Sequence, residues 1–281
     1  MNIVLVHGIL GFRRKFGIEY FNGVKERLEK ITPNILVPEL GETSSIQTAG
    51  ELLREQILAA LSDCTLDPNQ ETHIIGHSQG GLDARYLLSP ANPNTTPAND
   101  LSAKVASVTT ISSPHLESPI ADLLLLKPLD RLLQRLKLFR KHPLLLEHEI
   151  EAVLDHVGID RNALCDLGTE SMSRFNQEFP DNPAVRYFAV AGGGRSQPHE
   201  TTPVLIPFYR YIKSKTKEAN DGLVTASSAL RWKNDAEIWP ADHCDETGHN
   251  LDSLDPKATP DFDYLAGYER IVHRVSTPRP A

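Results

Sequence analysis

The chain has 281 residues, of which 40% are apolar and 23% charged, the make-up of a folded enzyme-sized protein and not of a disordered one. Its 29 Lys and Arg against 37 Asp and Glu leave a net charge of −8, which argues against the basic footprint a nucleic-acid partner requires. Three cysteines, Cys64, Cys165 and Cys244, are too few and too scattered for a disulfide framework.

Met1-Asn2 runs straight into the β-branched stretch Ile3–Val6, with no basic n-region or apolar leader ahead of it. The expectation is a cytoplasmic protein; secretion would need a removed leader or leaderless export. No apolar run approaches the ~20 residues of a membrane span. Strand patterns fall at Ile3–Val6, Asn34–Val37, Thr72–Ile75, Val105–Ile111, Ala184–Val190 and Glu237–Trp239. Helical spacing falls at Tyr20–Lys30, Thr48–Leu61, the segment after Gly81, and Asp263–Arg274. This alternation predicts an α/β fold: a mostly parallel sheet with helices on both faces. Residues 1–275 form one expected domain. A helical insertion occupies about 116–157, and 276–281 is a Pro-containing tail expected to be disordered.

The chemistry starts at Gly76-His77-Ser78-Gln79-Gly80. A G-x-S-x-G sequence is weak alone, but here a β-branched strand precedes it and a helix follows. A tight strand-to-helix turn brings the flanking positions too close for side chains, which accounts for both glycines. Ser78 is therefore the candidate nucleophile. In this arrangement the acid and the base follow it in that order. His243 lies in the loop after the last strand and is the candidate base, with His249 the runner-up. His77 adjoins Ser78, and successive side chains there diverge, so it cannot be the base. The turn Asn220-Asp221-Gly222 supplies Asp221 as the acid, with Asp235, Asp242 and Asp245 as rivals. Backbone N–H groups of Gln79, after the nucleophile, and of Ile9, in the His7-Gly8-Ile9 loop, are the candidate oxyanion donors.

Several blocks occur in order: Val6-His7-Gly8-Ile9-Leu10-Gly11-Phe12, Gly76–Gly81, Ile111-Ser112-Ser113-Pro114-His115, Asn220–Val224 and Asp242-His243-Cys244-Asp245-Glu246. Together they resemble bacterial family I triacylglycerol lipases of the Pseudomonas type. The resemblance implies an α/β-hydrolase fold, hydrolysis of acylglycerols at a lipid–water interface, and a lid in the insertion. It carries the same roles onto Ser78, Asp221, His243, Ile9 and Gln79. It also implies a structural Ca²⁺ near the His243 loop, for which Asp245 is the candidate ligand. His249, however, stands where the family has a side-chain oxygen, and Glu200-Thr201 stand where it has a second Asp. Ca²⁺ prefers oxygen ligands, so the expectation is little dependence on it and no cofactor for the chemistry.

The sequence therefore reads as a serine ester hydrolase acting on acylglycerols or other lipophilic esters. A carboxylesterase or an acyltransferase with the same triad is the alternative within this chemistry. A ligand-binding relative without catalysis is the alternative outside it. Within the insertion, Leu129, Leu132, Leu133, Leu136 and Phe139 line one helical face, with Arg131, Arg135, Arg140 and Lys141 on the other, the pattern expected of an amphipathic lid.

Overall fold

The computed structural model describes residues 1–9, 14–15, 18–41, 44–125, 166–193, 201–202, 205–233, 236–249 and 260–277. Most of the expected lid, from residue 126 onward, lies outside the described residues, as do Asp235, Cys165 and Glu200. The strands are β1 (Asn2–Val6), β2 (Arg14–Lys15), β3 (Ile18–Glu19), β4 (Ile35–Leu36), β5 (Thr72–His77), β6 (Val105–Ile111), β7 (Arg186–Ala191) and β8 (Glu237–Ile238). Six of them make one sheet in the order β4-β1-β5-β6-β7-β8, parallel at every pairing. β2 and β3 form a separate antiparallel pair. The helices are α1 (Val24–Leu28), α2 (Ile46–Ser62), α3 (Gln79–Leu88), α4 (Pro119–Leu125), α5 (Thr169–Glu178), α6 (Ile206–Thr216), α7 (Ala226–Ala229) and α8 (Tyr264–Ser276).

All five residues of β1 are buried, because a parallel sheet is covered on both faces and needs apolar side chains on each. Ile3 and Leu5 pack with Val24 and Leu28 of α1 and with Tyr268, Ile271 and Val272 of α8. Val4 and Val6 point the other way, against Leu53 and Ile57 of α2 and Ala84 and Leu87 of α3. Each such side chain taken from water contributes roughly 1.5–3 kcal/mol. This is the α/β-hydrolase fold expected of the sequence. A third apolar cluster sits apart from the sheet. It joins Leu82 and Tyr86 of α3, Ile120 of α4, Met172 and Phe175 of α5, and Phe208 and Tyr211 of α6.

Three differences from the sequence reading have identifiable physical causes. α1 is shorter than Tyr20–Lys30, because Gly23 adopts φ +67° and opens the helix only at Val24. α5 and α6 were not legible, since their apolar residues join a cluster with α3 and α4 and not a regular sheet face. The tail begins later than expected: α8 includes Ser276, whose Oγ donates to the Val272 carbonyl at 2.6 Å. Arg186 binds the carbonyls of Val275 and Thr277, which ties down the helix end.

One contact fixes how α3 meets the sheet. A Cβ on Gly80 would strike the carbonyl oxygen of Val6 and lie 2.6 Å from that of His7. Neither backbone group can rotate away. Gly80→Ala is therefore expected to lower stability by about 2–3 kcal/mol or to prevent folding. Urea denaturation followed by far-UV circular dichroism checks this; an unchanged midpoint would mean that the strand and helix have room to separate.

Candidate active site

Ser78 stands between β5 and α3 at φ +55° and ψ −129°, outside the regions an L-residue favours. Such a conformation costs about 1–3 kcal/mol and persists only where its surroundings enforce it. They do so here. The Ser78 N–H donates to the Ile111 carbonyl at 2.8 Å. A Cβ on Gly76 would lie 2.6 Å from the Gly81 nitrogen, and one on Gly8 would lie 2.6 Å from the Ser78 Cβ. The glycines thus let three chain segments meet at one serine. Because α3 opens at Gln79, that residue's N–H has no acceptor within the helix, and the helix N-terminus presents partial positive charge beside Ser78.

The loop after β1 is braced by its own histidine. His7 Nδ1 lies 3.1 Å from the Gly8 carbonyl, and His7 Nε2 lies 3.2 Å from the Leu40 nitrogen. The Leu40 N–H must donate to Nε2, so the proton sits on Nδ1 and donates to Gly8. Burial holds this imidazole below its ordinary pKa, in its neutral form. Ile9 follows, half-buried, against the third apolar cluster.

Asp221 and His243 come together at the C-terminal end of the sheet, from segments that follow the adjacent parallel strands β7 and β8. His243 Nδ1 donates to Asp221 Oδ2 at 2.7 Å, and the His243 backbone N–H donates to the Asp221 carbonyl at 3.0 Å. The other carboxylate oxygen, Oδ1, accepts the N–H groups of Leu223 and Val224 at 2.8 and 2.7 Å. The turn and the ion pair use different oxygens, so Asp221 braces its own loop and holds the imidazole at once. Gly222, at φ +99°, permits the reversal. Burial alone would raise the Asp221 carboxyl; the charge of His243, its hydrogen bond and the two backbone donors outweigh that and leave the group below the usual range.

Asp242 and Asp245 are occupied otherwise. Asp242 Oδ1 accepts the N–H groups of Cys244 and Asp245, and its Oδ2 accepts that of Thr202. Asp245 Oδ2 accepts the Asp242 N–H at 3.3 Å. His249 Nε2 donates to the Tyr20 carbonyl at 2.9 Å, so it serves neither as base nor as an oxygen-type ligand. Among the described residues, the side chains around Asp245 are therefore engaged in hydrogen bonds and do not assemble an oxygen cage for Ca²⁺.

Sequence reasoning missed a buried chain of polar groups behind His243. His77 Nδ1 lies 2.7 Å from the Tyr20 hydroxyl, and His77 Nε2 lies 3.0 Å from Glu246 Oε2. Ser112 Oγ donates to Glu246 Oε1 at 2.6 Å and accepts the Gly192 N–H at 2.9 Å. The spacing offered one hint: Glu246 stands three residues after His243, one turn on, where a helical loop brings it back toward the imidazole. Cys244 between them is half-buried, and desolvation, with the neighbouring carboxyls, pushes its thiol well up, out of the reactive range.

Residues 3–121 match a model of the family described as "Putative serine esterase (DUF676)". The chain is 28% identical to a triacylglycerol lipase of Vibrio cholerae serotype O1, over 90% of this chain and 83% of that one. It is 27% identical to a triacylglycerol lipase of Pseudomonas fragi, over 88% and 87% respectively. Among solved structures, a metagenomic carboxyl esterase superposes with a TM-score of 0.69 over 98% of this chain and 75% of its own, at 22% identity. The protein belongs, in fold, with the α/β-hydrolases. It is a serine ester hydrolase, an enzyme of the lipase and esterase class. Among the described residues no helix is long and apolar enough to cross a membrane.

One more buried carboxyl lies beneath the site. Asp83, one turn into α3, is 2% exposed and accepts a hydrogen bond at 3.3 Å from Gln79 Nε2. Burial, reinforced by Asp166, raises its pKa well above the ordinary value. The fold thus favours the neutral acid. Stability is full below the unfolded-state pKa of about 3.9 and is lost as pH rises above it toward the folded value. Asp83→Asn keeps the shape without the charge. It is expected to raise the thermal midpoint at pH 8 and to leave it nearly unchanged at pH 4; an equal shift at both would mean that the titration of Asp83 contributes nothing.

Proposed function

We propose that the enzyme cleaves acylglycerols and related lipophilic carboxylic esters, as a lipase of the Pseudomonas family I type, through an acyl-enzyme on Ser78. The observation that carries the proposal is the Asp221–His243 pair at 2.7 Å, set at the same C-terminal end of the parallel strands as a serine held at φ +55°. With its Nδ1 proton given to Asp221, His243 keeps Nε2 as a base. Ser78 Oγ attacks the ester carbonyl carbon and its proton passes to Nε2. The carbonyl oxygen becomes an oxyanion held by the N–H groups of Ile9 and Gln79. The bond to the alcohol oxygen breaks, and His243 returns the proton to it. Water, deprotonated by His243, then attacks the acyl carbon, releasing the fatty acid and restoring Ser78. The apolar cluster supports a lipophilic acyl group. Ile9, Leu223 and Cys244, from the oxyanion, acid and base loops, all pack on it, so the site is bordered by hydrocarbon on one side.

A fluorophosphonate probe is expected to label the native protein stoichiometrically and to leave Ser78→Ala unlabelled; labelling that survives this substitution would move the nucleophile elsewhere. Asp221→Asn is expected to fold normally and to lower kcat by roughly 10⁴-fold, because the amide no longer holds the required imidazole tautomer.

The substrate class is read from a chain-length series. Nitrophenyl octanoate should be hydrolysed faster than the acetate, and emulsified triglyceride should also be cleaved. A preference for acetate with no action on the emulsion would make the protein a short-chain carboxylesterase.

A further inference from the structure

The buried polar chain behind His243 reaches from one side of the site to the other. It begins at the Gly8 N–H, which donates to the Tyr20 hydroxyl at 3.1 Å. It continues through His77 to Glu246, and ends at Ser112 and the Gly192 N–H. Gly8 immediately precedes Ile9, the oxyanion donor named above. His77 immediately precedes Ser78. Glu246 lies on the short 3₁₀ helix, Asp245–Thr247, that follows His243. Glu246 Oε2 also comes within 4.0 Å of His243 Nδ1, and the His77 and His243 rings lie 4.5 Å apart, centre to centre. Ser112, at the end of β6, adopts φ +47°, a conformation that aims its hydroxyl at Glu246. Each segment that carries chemistry is therefore joined to the next by a side chain that carries none.

Glu246 and His77 are both completely enclosed. An isolated buried charge is costly, and Asp221 already supplies one anion to this space. We infer that Tyr20, His77 and Glu246 are positioning residues for the reaction: Glu246 stands as a neutral acid whose O–H donates to His77 Nε2, His77 Nδ1–H donates to Tyr20, and the chain fixes the oxyanion loop and the His243 loop against the nucleophile turn. The inference rests on the proposed roles of Ser78, His243 and Ile9. Burial pushes the Glu246 carboxyl well up, with Asp221 adding to it, and burial together with the charge of His243 holds His77 well down. Both directions agree with one proton shared between two uncharged partners. A neutral acid also explains why two carboxyls can stand near one imidazole without competing for its proton: only Asp221 is ionised, so only Asp221 takes the Nδ1 hydrogen.

The alternative role for Glu246 is electrostatic, as a second anion that makes His243 more basic. The two roles separate by substitution. Gln at 246 retains a carbonyl for the Ser112 hydroxyl and an N–H for His77, but no charge. Tyr20→Phe removes the links to Gly8 and His77 and leaves both carboxyls near His243 in place. The variants Glu246→Gln, Glu246→Ala and Tyr20→Phe are compared with the native enzyme on a soluble nitrophenyl ester, with kcat expressed per site titrated by fluorophosphonate. Native protein that takes no label would mark failure of the triad assignment itself, separately from this inference. The expected result is that Glu246→Gln keeps kcat within roughly threefold and leaves the acid limb of kcat/KM in place. Tyr20→Phe and Glu246→Ala should lower kcat by ~10–100-fold with KM little changed, the scale of a misplaced catalytic group. If Glu246→Ala does not fold, Tyr20→Phe alone carries the comparison. Native kcat per titrated site in Tyr20→Phe would overturn the inference. So would a Glu246→Gln variant with strongly reduced kcat and a shifted acid limb, since charge and not position would then be the contribution.

Discussion

Everything near the site depends on how closely the backbone can approach Ser78. A residue at φ +55° is not held by its own preferences, and neighbouring strands and loops must enforce it. That is why Gly8, Gly76 and Gly80 recur: each stands where a Cβ would meet another segment's backbone or Ser78 itself. Their absence of side chains lets β1, β5 and α3 converge to backbone contact. The strained turn is thus a property of the whole sheet centre, where β1 and β5 pair along five residues and β5 and β6 along six.

Around this fixed point, environment assigns different work to chemically similar groups. Asp221 and Glu246 are both enclosed carboxyls within reach of His243. Asp221 has two backbone N–H donors and the imidazole on its oxygens, which favours the anion. Glu246 has a hydroxyl and a second imidazole, and no backbone donor on either oxygen among the described contacts. The same logic applies to the histidines. His7 is a loop brace and His77 a link, while His243 alone among these three faces outward enough to be 11% exposed. The residue type permits several roles, and the donors around it select one.

The parts of this structure that were legible in the sequence are those governed by local rules. Val105–Ile111 has five β-branched residues in seven and is buried along nearly its whole length, and its limits are those the sequence predicts. Ser78, Asp221 and His243 stand out as candidates because local chemistry leaves a signature: two glycines around a serine, an Asn-Asp-Gly turn, and a loop histidine after the last strand. The unread parts depend on partners distant in sequence. Glu246 meets Ser112 across 134 positions and His77 across 169, and nothing in its own neighbourhood distinguishes it from the acids beside it. Tyr20 likewise reads as the first residue of a helix, whereas Gly23 delays that helix to Val24 and the tyrosine hydroxyl instead meets Gly8 and His77. α5 and α6 escaped for a related reason. Their apolar residues join those of α3, α4 and several loops, and a cluster without strands has no strand period to announce it.

That helical cluster is also what gives the site its asymmetry. On the side of β1 and β5 the groups proposed for catalysis are backed by hydrogen-bonded polar atoms, which set orientation, and a displacement of about 1 Å there would be costly. On the side of α3 and α6 they are backed by Phe208, Tyr211, Phe175 and Leu82, which set no direction and reward only surface removed from water. An ester has the same division: a carbonyl whose geometry must be met closely, and an acyl chain whose burial is roughly proportional to its area. Ile9, Leu223 and Cys244 stand at the border, each with its backbone in the polar loops and its side chain on the apolar cluster. The loops that position the reaction are consequently anchored by the same hydrocarbon contacts that favour a lipophilic substrate. A change in that cluster would therefore disturb catalytic geometry as well as acyl preference.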